Sequence, residues 1–563
     1  MPGDPGASHA DAWHALADYL AQAGPPVLFG LPGDDLAALA AVDSRGLRLV
    51  LCRDQRNAVF MATGYALGSG GPGVCVIGKG PAVANAVTGL VEARASGAPV
   101  VLVAGGTAVD RRGSGAFQEL DQLALVSPAV KWAHRVDHPD RVAPALERAF
   151  LVAASDPRGP VYLELPDHLI GAPVPRARPW LPATAVARAR ATSPVRGAAL
   201  TALRSSRRPV VLVGGGMRHR NPDGVVERFA ERIGAAVFTT ASGRGAVAED
   251  HPLFCGLSGL YTPPGTEELW READLVVAVG SRLEETATTG WDRPDRPVLQ
   301  VDVDPASLST DHPGPRVVGD GADVLAAWVA EVDRPPDRSW RTAVERCRAA
   351  ARGHAEQVRG APPEGDRPRV VDVLAAIDEV LPPDRVLVQE NGLQDMWSYF
   401  YPHYTCRSAG GCIAPSEQTT LGFGAAAAAG ARLAAPDRPV VAFVGDGAFN
   451  LFRSDLATLD REGIGVLYVV LRNGGYGWLH AQLDRHRLDP ARHGFASDAP
   501  DAGGAGSHFP VTDRTGLVDA VRRGYRVTAR GGVAVVHVDV RLADRHPALD
   551  NLIGDFPAHV AQC

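Results

Sequence analysis

Short apolar runs alternate with amphipathic stretches along the whole chain of 563 residues. The runs have the length of buried strands, and the stretches between them have the length and periodicity of helices. Strands that alternate with helices in this way are typical of parallel sheets with helices on both faces. The candidate strands lie at 26–31, 73–78, 99–106, 208–216, 235–240, 275–281, 298–304, 385–392, 438–447, 465–473 and 533–540.

Two stretches rich in proline, arginine and glycine, 171–197 and 359–369, interrupt this alternation and are interpreted as linkers. We therefore predict an α/β protein built from three doubly wound parallel-sheet domains. The predicted domains span 1–180, 195–335 and 367–545. A chain of this length is expected to hold three or four domains at about 150 residues each.

Composition and charge exclude several other classes of protein. The net charge of -7 gives no electrostatic support to nucleic-acid binding, and no stretch reaches the roughly 18 consecutive apolar residues of a membrane helix. The seven cysteines form no CxxC pair and their number is odd, which argues against a disulfide framework or a zinc site. The N-terminal stretch lacks a basic segment followed by an apolar run, so we expect a cytoplasmic protein without membrane or nucleic-acid partners.

The strongest chemical signal is GDGAFN at 445–450 followed by LRNGGYG at 471–477. Asp446 and Asn473 each lie at the end of an apolar strand, and one helical stretch separates them. A strand–helix–strand unit brings both side chains to the carboxyl edge of a parallel sheet. A carboxylate, an amide oxygen and a backbone carbonyl form the kind of oxygen-rich site that holds Mg²⁺ or Ca²⁺ with a diphosphate. Glycines at 445, 447 and 475 permit close approach of the backbone to phosphate oxygens.

These motifs resemble the pattern of the thiamine-diphosphate enzymes, in which GDG is followed, about two dozen residues later, by two asparagines. In this chain Arg472 takes the place of the first asparagine, and Asn473 keeps the second. Other segments resemble the acetolactate-synthase-like branch of that superfamily in the expected order. They are VLFGLPGDD (27–35), MATGYAL (61–67), GKGPAVANAVTGL (78–90), GAFQELDQ (115–122), DHPLFCGLSG (250–259), VDVDP (301–305), QENGLQDMW (389–397) and the segment 419–441.

The resemblance implies thiamine diphosphate and Mg²⁺ as cofactors. It assigns the metal to Asp446, Asn473 and the backbone carbonyl of Gly475. Leu421 takes the place of the bulky apolar residue under which the cofactor bends. The implied cofactor contacts are Pro32, Asn85, Gly392, Gln394, Thr419, Leu421, Gly445, Gly447, Ala448 and Gly477. Leu393 lies where the family turn is more polar, so a side-chain contact there is in doubt.

The main departure from the family concerns cofactor activation. The family supplies a glutamate that hydrogen-bonds the pyrimidine ring, and the matching position in RDQRNAVFMATGYA is Gln55. An amide can hydrogen-bond the ring but cannot exchange a proton at neutral pH. The neighbouring carboxylate of Asp54 is an alternative source of this function, although adjacent side chains point in different directions. Glyoxylate carboligase is a member of the superfamily that also lacks this glutamate.

Three further cleft residues are implied by the resemblance. Phe117 and Gln118 are expected near the thiazolium ring and the substrate, with a surface role as the alternative for Gln118. Lys79 replaces a small hydroxyl residue and either binds a carboxylate or phosphate or is a solvated loop lysine.

The Gly-rich segment 498–513 indicates that a helix that often covers the active site is trimmed.

We therefore expect a carboligase that decarboxylates a 2-oxo acid and transfers the acyl unit to a second carbonyl compound. The alternatives are a 2-oxo acid decarboxylase or C–C lyase, a non-catalytic cofactor-binding paralogue, and a nucleotide-binding oxidoreductase, which the pairing of Asp446 with Asn473 disfavours. The glycine-rich turn at 214–224 and the acidic residues Asp302 and Asp304 leave open a nucleotide in the middle domain. Because cofactor sites of this family need two chains, a homodimer or homotetramer is expected.

Overall fold

The computed structural model describes residues 8–33, 36–175, 179–181, 197–221, 223–333, 335–489, 492 and 504–549. The chain divides into two compact units. Unit 1 comprises Met1–Arg188, Gln418–Asp437 and Phe452–Ile464, and unit 2 comprises Ala189–Glu417, Arg438–Leu451 and Gly465–Cys563.

Strands and helices alternate through most of the described chain. The strands are β1 (Ser8–His9), β2 (Val27–Leu31), β3 (Arg48–Leu51), β4 (Gly73–Ile77), β5 (Val100–Gly106), β6 (Trp132–Arg135), β7 (Val161–Pro166), β8 (Val174–Pro175), β9 (Pro209–Val213), β10 (Ala236–Thr239), β11 (Phe254–Leu257), β12 (Leu275–Val279), β13 (Val298–Asp302), β14 (Arg316–Val318), β15 (Val386–Gln389), β16 (Cys412–Ile413), β17 (Val440–Gly445), β18 (Leu467–Arg472), β19 (Ser507–Val511) and β20 (Ala534–Asp539). The α-helices are α1 (Ala12–Ala23), α2 (Leu36–Ser44), α3 (Gln55–Ser69), α4 (Pro81–Ala95), α5 (Gln122–Val126), α6 (Val142–Ala154), α7 (Ala198–Ser205), α8 (Val225–Ile233), α9 (Glu267–Glu272), α10 (Glu285–Thr288), α11 (Gly321–Glu331), α12 (Arg338–Gly360), α13 (Val370–Val380), α14 (Phe423–Ala434), α15 (Asp446–Phe452), α16 (Leu456–Arg461), α17 (Gly477–Arg485) and α18 (Leu517–Thr528).

Unit 1 is built on a six-stranded sheet with the order β3-β2-β4-β5-β7-β6. All of its neighbouring strands are parallel. The order reverses between β2 and β4, and ligands of open α/β sheets bind beyond the carboxyl ends of the strands at such a point. The loops that follow β2, β3 and β4 are therefore the part of this sheet where a ligand is expected.

Unit 2 holds two more six-stranded sheets, with the orders β11-β10-β9-β12-β13-β14 and β16-β15-β17-β18-β20-β19. All neighbouring strands in both are parallel. The prediction of three parallel-sheet domains flanked by helices is thus confirmed, whereas the exact domain limits stay predictions. In the last sheet β17 lies between β15 and β18, so the loops that follow these three strands meet at one edge.

Residues 498–503 of the Gly-rich segment 498–513, where a helix is predicted to be trimmed, lie outside the described residues, and the rest of the segment contains the edge strand β19. Among the residues that the structure describes, none of the helices is both long and apolar enough to cross a membrane.

Two helices of unit 1, α3 and α14, pack so closely that glycine is required at their contact. A β-carbon added at Gly430 would lie 1.8 Å from the carbonyl oxygen of Met61. One added at Gly64 would lie 2.1 Å from the carbonyl oxygen of Ala427. The two backbones therefore touch directly, which fixes the position of the segment that leads into α14.

Replacing Gly430 by alanine is expected to destabilise the protein, because the new β-carbon overlaps backbone atoms that no side-chain rotation can move. The expected cost is at least about 1–3 kcal/mol, seen as a lower midpoint of thermal unfolding. Gly353→Ala is the matched control, since a β-carbon at this helical glycine meets nothing within 4 Å. That control should leave the midpoint unchanged or raise it. Equal midpoints for the two variants would contradict the close contact.

Candidate active site

The carboxyl edge of the third sheet brings Asp446 and Asn473 into one region, as their motifs predict. Asp446 is buried and begins helix α15 directly after β17, while Asn473 follows β18. The Oδ1 atom of Asp446 accepts a hydrogen bond of 2.9 Å from the Gly447 amide. The Oδ1 atom of Asn473 accepts one of 3.0 Å from the Gly475 amide. Both side chains are thus held by backbone amides of their own loops.

A side-chain hydrogen bond joins this edge to the loop that follows β15. Nδ2 of Asn473 donates to Oε1 of Gln394 at 2.6 Å, and Nε2 of Gln394 donates to the carbonyl of Leu542 at 2.8 Å. With its nitrogen used in this way, Asn473 presents its oxygen as an acceptor for a further ligand. Leu393 is 2% exposed and lies in the hydrophobic core of unit 2, which agrees with its replacement of a polar residue.

Two glycines of the motif, Gly447 and Gly477, leave no room for side chains. A β-carbon at Gly447 would lie 2.8 Å from the ring of Tyr476, and one at Gly477 would lie 2.9 Å from Oε1 of Gln394. Ala448 is buried beside them, whereas Gly392 and Gly445 are half-buried. The backbone of these loops is therefore close to the surface that a diphosphate would contact.

Arg472, the residue that departs from the family motif, has a partner away from the loop. Its Nε donates to Asp539 on the neighbouring strand β20 at 2.6 Å, and the two form an ion pair. This replacement therefore leaves Asn473 in place.

Asp395, to which no sequence motif assigned a role, lies in the same region. It is 1% exposed, and neither of its carboxylate oxygens has a hydrogen-bond partner. Burial raises the pKa of this carboxyl to about 7. The backbone amides of Gly445 and Gly392 lie near the Asp395 carboxylate and favour its charged form, which lowers the pKa. Neither amide has the distance and angle of a hydrogen bond to it.

These residues fit a hard metal ion with a diphosphate. Among the described residues, no group of three or more His, Cys, Asp or Glu side chains is arranged to hold a metal. The candidate ligands are instead one carboxylate, one amide oxygen and one backbone carbonyl, a set that leaves coordination positions for phosphate oxygens. The buried carboxylate of Asp395 lies in the same region.

In unit 1 the predicted activation residue, Gln55, is the first residue of α3. Its Oε1 accepts a hydrogen bond of 2.8 Å from Nδ2 of Asn85. The adjacent Asp54 caps the helix, because its Oδ1 accepts from the Asn57 amide at 3.1 Å. The Oδ2 atom of Asp54 lies 3.4 Å from the same Asn85 nitrogen. The structure thus places Asp54, Gln55 and Asn85 together, although Asp54 and Gln55 are adjacent in sequence.

Lys79 is not a free loop lysine, because its ammonium forms an ion pair with Asp167. Gly80 follows in the left-handed region with φ of 57°, and its amide donates to Oε1 of the buried Gln122 at 2.5 Å. Gln122 in turn donates to the carbonyl of Gly105 at 3.0 Å and to Tyr162 Oη at 2.8 Å. Gln122 therefore fixes the loop that carries Lys79, a role that no sequence motif indicated.

Phe117 and Gln118 lie on the surface of unit 1 near this loop. Phe117 is 72% exposed, which is unusual for a large apolar side chain. Gln118 has φ of 57°, and its carbonyl oxygen would lie 2.5 Å from a β-carbon at Gly80. Pro32 is buried directly after β2. A β-carbon added at Gly78 would lie 3.2 Å from the Pro32 carbonyl oxygen, so the loops after β2 and β4 are close together.

The segment before α14 carries the last predicted cofactor contacts. Thr419 has φ of 45°, a conformation that costs energy for a β-branched residue. The next residue, Thr420, donates to Oε2 of the buried Glu92 at 2.7 Å. Leu421 is 42% exposed and so presents an apolar surface to a ligand or partner. This strained and anchored turn holds Leu421 at a defined place in unit 1.

The raised pKa of Asp395 predicts how the stability of the cofactor-free protein depends on pH. The carboxyl has a pKa of about 3.9 in the unfolded chain and about 7 in the folded protein. Its contribution to stability is therefore complete below about pH 4 and is lost as the pH rises through 7, by at most about 4 kcal/mol. Asp395→Asn should remove this loss, which thermal unfolding with a chelator at about pH 5 and pH 8 measures. Parallel pH profiles of the two proteins would contradict the assignment.

Comparison with known proteins agrees with this geometry. Models of three domains of thiamine pyrophosphate (thiamine diphosphate) enzymes match the chain. They are the N-terminal TPP binding domain at 11–125, the central domain at 197–328 and the C-terminal TPP binding domain at 391–538.

Similar proteins match over most of their length. The large subunit of acetolactate synthase isozyme 1 of Escherichia coli is 28% identical over 83% of this chain and 82% of its own. A probable 2-ketoarginine decarboxylase of Pseudomonas aeruginosa is 32% identical over 82% of each chain. A probable acetolactate synthase large subunit of Methanocaldococcus jannaschii is 29% identical over 83% of this chain and 80% of its own. The chain belongs to the thiamine-diphosphate-dependent enzymes, in the acetolactate-synthase-like branch.

Proposed function

We propose that this enzyme decarboxylates a 2-oxo acid and transfers the acyl unit to a second carbonyl compound, using thiamine diphosphate and Mg²⁺. The observation that carries the proposal is the hydrogen-bonded edge of the third sheet, where Asn473 and Gln394 join the loops after β18 and β15 beside Asp446. When bound, thiamine diphosphate supplies a nucleophilic carbon that attacks a carbonyl and accepts the electrons released with CO₂. The similarity to acetolactate synthases supports transfer of the acyl unit rather than its simple release.

Asp446, Asn473 and the carbonyl of Gly475 would hold Mg²⁺, and the glycine-rich loops would contact the diphosphate. Pro32 and Asn85 in unit 1 are proposed to contact the pyrimidine. A homodimer or homotetramer and a cytoplasmic location remain predictions from the sequence. So does a substrate contact at Phe117 or Gln118.

Gln55 is proposed to hold the pyrimidine ring as a hydrogen-bond donor. Its Oε1 is already used by Asn85, so the amide N–H groups are the part left for a ligand. An amide in this position orients the ring but does not take up or release its proton. The carboxylate of Asp54 contacts the same asparagine, Asn85. Among the described contacts, it is the carboxylate nearest to Gln55 and Asn85.

Lys79 is proposed to bind the carboxylate of the 2-oxo acid that is decarboxylated. In the described structure Asp167 neutralises it, so a substrate carboxylate would take the place of that partner. Exchange of one carboxylate for another would keep the ammonium paired.

A second candidate function, release of the decarboxylated product without transfer, is favoured by the probable 2-ketoarginine decarboxylase among the similar proteins. The replacement of the activating glutamate by Gln55 is the support for a third possibility, a paralogue that binds the cofactor without turnover. Labelled substrates distinguish these functions, and proton exchange in variants of Gln55 tests its role in activation.

The first experiment concerns Gln55. Gln55→Glu should exchange the C2 proton of bound thiamine diphosphate at least about tenfold faster, because a carboxylate can pass a proton to the ring. Gln55→Met, of similar size but unable to exchange a proton, is the control and should not be faster than the wild type. Deuterium exchange followed by NMR after rapid quenching measures the rate. An unchanged rate in Gln55→Glu would remove Gln55 from the activation position.

The second experiment tests the reaction. Purified enzyme with thiamine diphosphate and Mg²⁺ is given carboxyl-labelled 2-oxo acids, from pyruvate to acids with a cationic side chain, and an aldehyde or oxo-acid acceptor. The proposal expects labelled CO₂ together with a coupled hydroxyketone, identified by mass spectrometry. Labelled CO₂ without a coupled product would indicate the decarboxylase. Absence of both across the panel, with cofactor binding intact, would indicate the non-catalytic paralogue.

A further inference from the structure

Glu249 and Asp455 are strongly buried acidic side chains with evident partners. Glu249 accepts from the guanidinium of Arg244 at 2.6 and 3.0 Å, with both side chains essentially inaccessible. Asp455 accepts from Asn57 at 2.8 Å and from the Arg53 amide at 2.7 Å. This pattern follows from the cost of removing a charge from water, which is several kcal/mol unless a partner replaces the water.

Asp395 departs from this pattern. It is 1% exposed, and both of its carboxylate oxygens lack a hydrogen-bond partner. Among the ion pairs formed by described residues, none involves Asp395. Backbone amides, among them those of Gly392 and Gly445, favour its charged form without reaching hydrogen-bond geometry. A cation, a proton or a well-aligned donor from outside the chain would therefore stabilise it further.

The location of this carboxylate indicates which partner is supplied. Both of its oxygens lie 3.0 Å from the position of a β-carbon on Gly392, and one lies 4.0 Å from that on Gly445. The preceding residue, Gln394, is hydrogen-bonded to Asn473. Asp395 is therefore enclosed by the loops to which the diphosphate and its metal are assigned.

A diphosphate alone would repel this carboxylate, because both are anions. A divalent cation between them removes the repulsion and gives the buried charge its missing partner. We infer that Asp395 is a second acidic residue of the metal site, which binds Mg²⁺ directly or through a water molecule of its coordination shell. The inference rests on the proposed cofactor and extends the metal site beyond Asp446, Asn473 and Gly475.

This role has a functional consequence. A site with two carboxylates offsets the charge of a divalent cation within the protein, so the metal can bind before or together with the diphosphate. Cofactor binding in this chain should consequently depend on Mg²⁺ more strongly than it would with Asp446 as the single anionic ligand.

The test is a titration of Mg²⁺ at a fixed thiamine diphosphate concentration, with cofactor binding followed by calorimetry. Asp395→Asn keeps the shape of the side chain and removes its charge, and it should raise the Mg²⁺ concentration needed for half-saturation about 10- to 100-fold. The matched control is Asp455→Asn, a buried carboxylate of unit 1 with its own partners, which should leave the Mg²⁺ requirement unchanged. Thermal unfolding without cofactor verifies that each variant is folded, and Asp395→Ser serves as a second variant if Asp395→Asn does not fold.

Asp446→Ala separates failure of this inference from failure of the proposed metal site. If Asp446→Ala raises the Mg²⁺ requirement while Asp395→Asn leaves it unchanged or lowers it, the inference is overturned and the metal site stands. If Asp446→Ala has no effect, the proposed metal site itself is wrong. An increase in both variants, with the control unchanged, supports Asp395 as part of the site.

Discussion

The hydrogen bond from Asn473 to Gln394 is the contact on which the candidate site depends. It is 2.6 Å long and joins two loops that are far apart in sequence. Parallel strands make this possible, because β15, β17 and β18 end at the same edge and present their following loops to one another. The bond also decides the orientation of the Asn473 amide, so that its oxygen is the acceptor, which already receives the Gly475 amide and has a second lone pair for a ligand. One side-chain contact thus fixes both the relative position of the loops and the chemistry that they offer.

The candidate site residues of the two units are held by different physical means. In unit 1 the polar groups have partners within the protein: Gln55 with Asn85, Lys79 with Asp167, and Gly80 with Gln122. A ligand there replaces or extends bonds that already exist. In unit 2 Asp395 is buried without a partner, so a ligand supplies what the protein lacks. The arrangement in unit 1 favours a defined orientation of the ligand and selectivity for it. The arrangement around Asp395 favours ligand binding that depends strongly on a cation.

Much of the fold follows from the sequence, because apolar runs and the helices between them are local patterns. The predicted strand 26–31 corresponds to Val27–Leu31, and 438–447 corresponds to Val440–Gly445 with helix α15 beginning at Asp446. Short strands such as β6 and β16 were not predicted, because they are too short or too polar to show a period of two. The metal motif could be located since its residues follow two strands joined by one helix.

The contacts that the sequence did not show are long-range. Lys79 and Asp167 are 88 residues apart, and Gly80 and Gln122 are 42 apart, so no spacing rule connects either pair. Asp395 lies within a segment that resembles the family, yet its residue type alone does not reveal that it is buried without a partner. The structure adds this fact, and with it a reason for an acidic residue beside an anionic cofactor. By itself this carboxylate would repel a diphosphate, whereas a divalent cation between the two anions would remove the repulsion.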